Sequence, residues 1–288
     1  MRIQPLHFKI PARTHPMTTA LPMLEQQAEI IAHLEIFSGT YLLTLREPEI
    51  VGTAQPGQFV MLKVGDGLDP LLRRPFSICG IQDDAFLLLY RVVGRGTHVL
   101  SQRTAGERLH VLGPLGQGFQ HRNASPPLLL VGGGMGLAPL FFLAQALNRK
   151  AETQPFSFLG GFSSAGEILE TGIVPGVKGM EIATDDGSAG HQGPVTDLLQ
   201  AHLHHRVATH GPGTVFACGP PAMLRKVAEI TDRAGAACQV SLEAAMACGL
   251  GACLGCAVKA VEERDGAYLH VCREGPVVPA GWVDWGSV

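Results

Sequence analysis

Residues 246–260, MACGLGACLGCAVKA, place cysteines at Cys248, Cys253 and Cys256, and a fourth, Cys272, follows in VCREGPVV. C-x4-C-x2-C with a distant fourth cysteine is the plant-type spacing for a [2Fe–2S] cluster, in which one tight loop supplies three of four thiolates. Gly249, Gly251 and Gly255 predict a backbone that wraps inward, through positive φ where needed, and points N–H groups at the sulfurs. Two other readings compete. Structural zinc usually shows two C-x2-C knuckles or a Cys/His mixture, and disulfides need an oxidising compartment for which this sequence carries no secretion signal.

The 288 residues exceed the usual size of one domain and predict two or three. A hydrophobic fraction of 46%, a charged fraction of 16% and a mean hydropathy of +0.19 describe a globular protein with an apolar bias, which hints at a covered face near the cysteine loop. A net charge of −3 offers no basic field for nucleic acid and no polybasic membrane anchor. No apolar run reaches the roughly 18 residues of a membrane span. Residues 1–22 lack the apolar core of a signal peptide and read as a disordered leader, in a chain expected to be cytoplasmic. Seven cysteines suit a reducing interior, and Cys79, Cys218 and Cys238, outside the motif, read as small buried hydrophobes.

Residues 23–122 carry six short runs of strand character, from AEIIAHLEIF to ERLHVL, separated by turn signals such as Pro56-Gly57 and Asp83-Asp84. Their spacing predicts an antiparallel β-barrel, with THVLSQR its only helix. Over 123–240, strands such as LLLV, PFSFLGG, MEIAT and TVFACG alternate with helical stretches, including a polar one at SAGEILE. That alternation predicts an α/β domain on a parallel sheet. Residues 241–288 are too few to build a sufficient core alone, and the cluster would act as their staple.

Several motifs in these regions bear chemistry. In PLLRRPFSI, Arg74 can pair with a pyrophosphate while Pro75, Phe76 and Ser77 approach a flat heterocycle, and Gly96 and Thr97 open the predicted helix one strand later. Together they suggest a dinucleotide on the barrel rim. GPLGQGF, 113–119, reads equally as a linker or a cofactor contact. Gly132, Gly133, Gly134, Met135 and Gly136 turn an apolar strand into a helix, a phosphate-binding arrangement that departs from G-x-G-x-x-G. Cys218, Gly219 and Pro220 end another parallel strand, where either a nicotinamide contact or a buried thiol fits. Asp185 and Asp186 at a strand end favour ribose hydroxyls, hence NAD over NADP, although such turns are common on surfaces. His202, His204, His205 and His210 crowd together without a thiol or carboxylate in the same stretch, which favours a polar helix end over a metal site. No nucleophile–base pair stands out, so no residue is assigned a catalytic role. This pattern predicts electron transfer rather than bond-making chemistry.

The order of these motifs resembles the ferredoxin–NADP reductase superfamily and, within it, the electron-transfer subunits of NAD-linked (class 1B) dihydroorotate dehydrogenases. PLLRRPFSI, LLYRVVGRGT, VLGPLGQGF, VGGGMGLAPL, ATDDGS, ACGPPAML, SLEAAMACGLGACLGCAVK and VCREGPVV carry the resemblance, from about residue 57 to 278. It implies FAD on Arg74, Pro75, Phe76, Ser77, Leu89, Tyr90, Arg91, Gly96 and Thr97, with Phe76 where tyrosine is common. It also implies cluster ligation by Cys248, Cys253, Cys256 and Cys272. The implied partner is an FMN-containing catalytic subunit in a heterotetramer, with electrons running from dihydroorotate through FMN, cluster and FAD to NAD+. The alternative is an FAD/[2Fe–2S] diaphorase subunit of another complex, of the ferredoxin–NAD(P) or hydrogenase type.

Overall fold

A computed structural model describes residues 25–65, 67–149, 155–262 and 267–288, without the side chains of 205–210. The leader assigned to residues 1–22 and the side chains of His205 and His210 therefore lie outside the described residues.

Six strands close an antiparallel barrel: β1 (Glu25–Phe37), β2 (Thr40–Arg46), β3 (Phe59–Lys63), β4 (Arg74–Gln82), β5 (Ala85–Arg91) and β6 (Arg108–Leu115), in the order β1-β2-β5-β4-β3-β6. β5 reads AFLLLYR because it is buried on both faces. Phe86, Leu88 and Tyr90 point into the barrel, whereas Leu87 and Leu89 face a second core outside it. The barrel carries two helices rather than the one expected, α1 (Pro48–Thr53) and α2 (Arg95–Ser101). α1 escaped the pattern because six residues give too short a period. Pro48 in its first turn, the Glu47 side chain accepting from the Glu49 N–H, and buried Ile50 hold it.

The second body is a seven-stranded sheet. Its parallel strands are β7 (Leu128–Gly133), β8 (Phe156–Phe162), β9 (Glu181–Thr184), β10 (His191–Gln192), β11 (Thr214–Cys218) and β12 (Ala237–Ser241). Three helices cover it: α3 (Leu137–Asn148), α4 (Val195–His210) and α5 (Pro221–Ala234). α4 and α5 pack on one face through Val195, Leu199, Leu224 and Val227, while α3 lies on the other, against Leu128, Leu130 and Phe158. α3 is apolar all round, LAPLFFLAQAL, because its far side meets the barrel at Leu87, Leu89 and Cys79. The helix predicted at SAGEILE does not form. A single 3-10 turn, Ala165–Glu167, stands there, since so short a stretch with Gly166 inside it cannot nucleate a helix. His202 on α4 meets the Glu181 carboxylate of β9 at 2.9 Å, a partner the local sequence could not reveal.

The C-terminal stretch adds the hairpin β13 (Ala257–Lys259) and β14 (Tyr268–His270), then β15 (Val277–Pro279). β15 pairs antiparallel with β12, so the sheet runs β10-β9-β8-β7-β11-β12-β15 and its last strand belongs to the cysteine-bearing segment. GPLGQGF is not a free linker, and its Phe119 lines a cleft with Gln120 and Phe142. Gln117 donates its N–H to Gly275 O at 2.6 Å and bridges Pro276, tying the barrel exit to the same segment. Among the described residues, no helix is long and apolar enough to cross a membrane.

Gln145 on α3, 1% exposed, staples barrel to sheet: its Oε1 accepts from Ile81 N–H at 2.9 Å, and its Nε2 donates to Ile81 O and Pro175 O at 2.9 and 2.8 Å. Gln145→Ala leaves the buried Ile81 amide without its partner, while the Ile81 carbonyl keeps only Arg149 and the Pro175 carbonyl loses its side-chain donor. It should lower stability by about 2–3 kcal/mol, read as a fall in the denaturant midpoint of the barrel–sheet unit.

Candidate functional site

The four motif cysteines come together from two turns. Cys256 Sγ lies 3.2 Å from Cys272 Sγ, and both residues are buried, at 2% and 3% exposure. Cys248 Sγ accepts N–H groups from Leu250 at 3.3 Å and from Cys253 at 3.4 Å, Cys272 Sγ accepts from Gly251 at 3.2 Å, and Cys256 Sγ accepts from the Cys272 N–H at 3.4 Å. Among the described residues, no three His, Cys, Asp or Glu side chains close on one point as a mononuclear metal site does. The cysteines stand as two pairs, Cys248 with Cys253 and Cys256 with Cys272, a division that would supply two thiolates to each iron of a [2Fe–2S] cluster. The amides from Leu250 and Cys253 hold the Cys248 thiol down at about 6, while burial, reinforced by Cys256, pushes Cys272 up to about 12. A bound cation would supply the charge that Cys272 needs to ionise.

Glycine placement follows from close approach. Gly249, φ +72°, has no room for a side chain, since a Cβ there would meet Met61 of β3 at 2.6 Å, and Gly251, φ +78°, turns its amide towards Cys272. Gly255 does not take the positive φ expected of it. The neighbouring Leu254 does, at φ +59°, a strained setting for a leucine that lets Cys253 and Cys256 face inward in succession.

A cleft of about 410 Å³ opens between barrel, sheet and cysteine loop. Arg74, Pro75, Phe76, Ser77, Leu89, Tyr90, Arg91 and Thr97 all line it, so eight of the nine expected flavin residues converge. The ninth, Gly96, works from behind: a Cβ there would strike Arg74 Nε at 2.5 Å, and its absence lets the guanidinium lie across the start of α2. Met135, expected at the other nucleotide, faces this cleft as well. Tyr90 stacks on Tyr41 and meets Phe76 edge-on, with its phenol pushed above the usual range by burial. Arg91 Nε is buried with no hydrogen-bond partner among the described residues, as a guanidinium awaiting an anion would be. These features fit a flavin dinucleotide.

A second cleft, of about 550 Å³, lies at the carboxyl ends of β7, β8 and β9, where ligands bind in open parallel sheets. Gly133, Gly134 and Pro220 line it, with Gly134 at φ +51° and nothing within 4 Å of where a Cβ would stand. Gly132, Gly136, Cys218 and Gly219 support it from behind. Gly136 presses on the Cys218 carbonyl and Gly219 on the Gly133 amide. The Cys218 thiol is 98% buried and pushed up to about 12 by that burial. Asp185 lines the cleft, and Asp186, lowered by its Ser188 hydrogen bonds, braces the turn beside it. Glu167 and Asp197 add negative charge against one cation, Lys226, a balance suited to hydroxyls rather than a further phosphate.

Comparison with known proteins identifies the family. The family description for the iron–sulfur cluster binding domain of dihydroorotate dehydrogenase B matches residues 243–284. The electron transfer subunit of dihydroorotate dehydrogenase B (NAD(+)) from Desulforamulus reducens is 36% identical over 260 residues, which is 90% of this chain and 97% of that one. The chain belongs to this family. A homologue of the same subunit from Aquifex aeolicus is 40% identical over 268 residues, 89% of this chain and 97% of that one. Among solved structures, one of an NADH-dependent reduced ferredoxin–NADP oxidoreductase, studied for flavin-based electron bifurcation, superposes with a TM-score of 0.75 at 28% identity over 90% of each chain.

Within this family fold, sequence reasoning missed Glu167, Asp197 and Lys226 in the sheet cleft, and Phe59, Glu243, Ala244, Met246 and Pro276 in the barrel cleft. Glu243 had a usable signal, since it lies two residues beyond the carboxyl end of a parallel strand. Its carboxyl is raised by withdrawal from water. Gly136→Ala would drive a methyl to 2.5 Å from the Cys218 carbonyl oxygen. It should cost about 1–3 kcal/mol and weaken NAD+ binding at least tenfold by isothermal titration, with the cysteine site unaffected.

Proposed function

We propose that this chain takes electrons from an FMN-containing dihydroorotate dehydrogenase catalytic subunit, passes them through a [2Fe–2S] cluster and FAD, and delivers them to NAD+ in pyrimidine biosynthesis. The observation that carries the reading is the two-paired set of four thiols with amides aimed at its sulfurs, two residues along the chain from Met246 in the wall of the barrel cleft. Cys248 and Cys253 would hold one iron, Cys256 and Cys272 the other. Arg74 and Arg91 would bind the FAD pyrophosphate, with Phe76, Tyr90 and Leu89 walling the ring system. The Gly132–Gly136 turn, with Gly219 and Pro220, would take NAD, and Asp185 its ribose hydroxyls. Bound in the barrel cleft, FAD supplies the conversion between single electrons and a hydride that a one-electron cluster and a two-electron nicotinamide each lack.

This chain's own side chains need to bind, orient and exclude water, not to move protons at a reacting carbon. The half-buried Cys248 and exposed Cys253 mark the side on which electrons enter, and Leu250 and Leu254, 39% and 57% exposed, give that side apolar ground for the catalytic subunit. We infer a heterotetramer of two such pairs, working in the cytoplasm, where four thiols stay reduced until iron arrives. The domain limits that follow are 23–122 for FAD, 123–240 for NAD and 241–288 for the cluster.

Cys272→Ser should remove the broad visible absorption of the iron–sulfur centre while leaving the flavin bands. Co-expressed with the FMN subunit, it should lower dihydroorotate-dependent NAD+ reduction by about 100-fold yet spare NADH oxidation by an artificial acceptor. A wild-type chain that co-purifies with a partner lacking FMN, or with one that fails to oxidise dihydroorotate, would favour the diaphorase reading instead.

A further inference from the structure

The two clefts are joined by one ion pair. Arg91, in the wall of the barrel cleft, points Nη1 at Oε1 of Glu167, in the wall of the sheet cleft, across 3.4 Å. Their side chains are 35% and 39% exposed, and a pair so open to water contributes little to stability. Its placement is the informative feature. The Arg91 guanidinium also lies over the Phe37 ring at 5.9 Å and keeps a buried Nε without a partner, so one edge is engaged and another waits.

Glu167 is itself tethered to the sheet cleft. It ends the 3-10 turn Ala165–Glu167, whose Ala165 N–H donates to Ser188 Oγ at 2.7 Å. Ser188 in turn donates its hydroxyl to Asp186 Oδ1 at 2.5 Å and its N–H to the same oxygen at 2.9 Å, next to Asp185 in the cleft wall. A continuous path therefore runs from the acidic turn after β9, through Ser188 and the Glu167 turn, to the arginine expected on the flavin phosphates. The Arg91–Glu167 contact was not legible from local sequence, because the two residues sit on different bodies of the fold.

We propose that Glu167 is a positioning residue that couples the two nucleotide sites, so that a dinucleotide in the sheet cleft tightens, through Arg91, the hold on the flavin phosphates in the barrel cleft. A carboxylate has two oxygens. With Oε1 turned to Arg91, Oε2 can accept from a ribose hydroxyl in the sheet cleft. A ligand that fixes Glu167 from that side also fixes the Arg91 rotamer, and the ordering that a flavin phosphate would otherwise impose is already complete. The effect is reciprocal: flavin in place strengthens NAD+ binding by the same factor. This inference rests on FAD occupying the barrel cleft and NAD the sheet cleft.

The test uses the full chain loaded with FAD. Its FAD dissociation constant is read from the flavin fluorescence recovered on dilution, with and without NAD+ at a concentration shown by titration to saturate. In the wild type, NAD+ should tighten FAD about fivefold, a modest factor in keeping with the exposure of the pair. In Glu167→Gln that ratio should fall to about one. Glu167→Asp should keep part of it, and in an Arg91→Gln background Glu167→Gln should change nothing further. If Glu167→Gln weakens FAD equally with and without NAD+, the residue is merely structural and the coupling is overturned. A wild-type ratio of one overturns it too, while Arg91→Gln still weakening FAD would leave the flavin site assignment standing. An FAD affinity insensitive to Arg91→Gln would overturn both the assignment and the coupling.

Discussion

Two pairs of sulfurs held by backbone amides are the constraint on which the rest of this structure depends. Thiolates crowded together repel one another, and the loop that carries three of them has no strand or helix to stiffen it. The amides of Leu250, Gly251, Cys253 and Cys272 offset that repulsion only if the loop stays in place. Gly249 pressed against Met61, and Cys256 and Cys272 sunk in the core shared with Leu115 and Val278, keep it there. The C-terminal stretch is therefore built onto the other two bodies.

β15 shows how complete that attachment is. By pairing with β12 it covers the sheet edge beside the cysteine segment, and Gln117 locks the barrel exit to the same turn. Pro276 and Met246 then reach the barrel cleft from the cysteine side, while Met135 and Ala138 reach it from the sheet side. A cleft walled by three bodies brings a one-electron carrier and a two-electron carrier to a common middle, and proximity of that kind is the fold's contribution to electron transfer.

α3 sets the remaining geometry. Buried on both sides, it ties barrel to sheet, with the Gln145 staple and Arg149 donating to Ile81 O at 3.0 Å. The clefts are bridged on the other flank by Arg91 and Glu167, whose side chains are partly open to water.

Much of this was legible in the residues themselves. Cysteine spacing pointed to the cluster, short strand-like runs between turn signals named the barrel strands, and an apolar strand running into Gly132–Gly136 marked a strand-to-helix turn, because each is a short-range pattern set by backbone geometry. Short elements were not legible: α1, and the 3-10 turn where SAGEILE suggested a helix, depend on a few capping and burial contacts that carry no period. Nor could local pattern sort Met135 to the flavin side or find Glu167, Glu243 and Met246 in the cleft walls. Chain order alone determined which chemistry this protein holds. Only packing between segments far apart in sequence decided which side chains face each cleft, which thiols pair and what joins the two sites, since burial and electrostatics belong to neighbours in space.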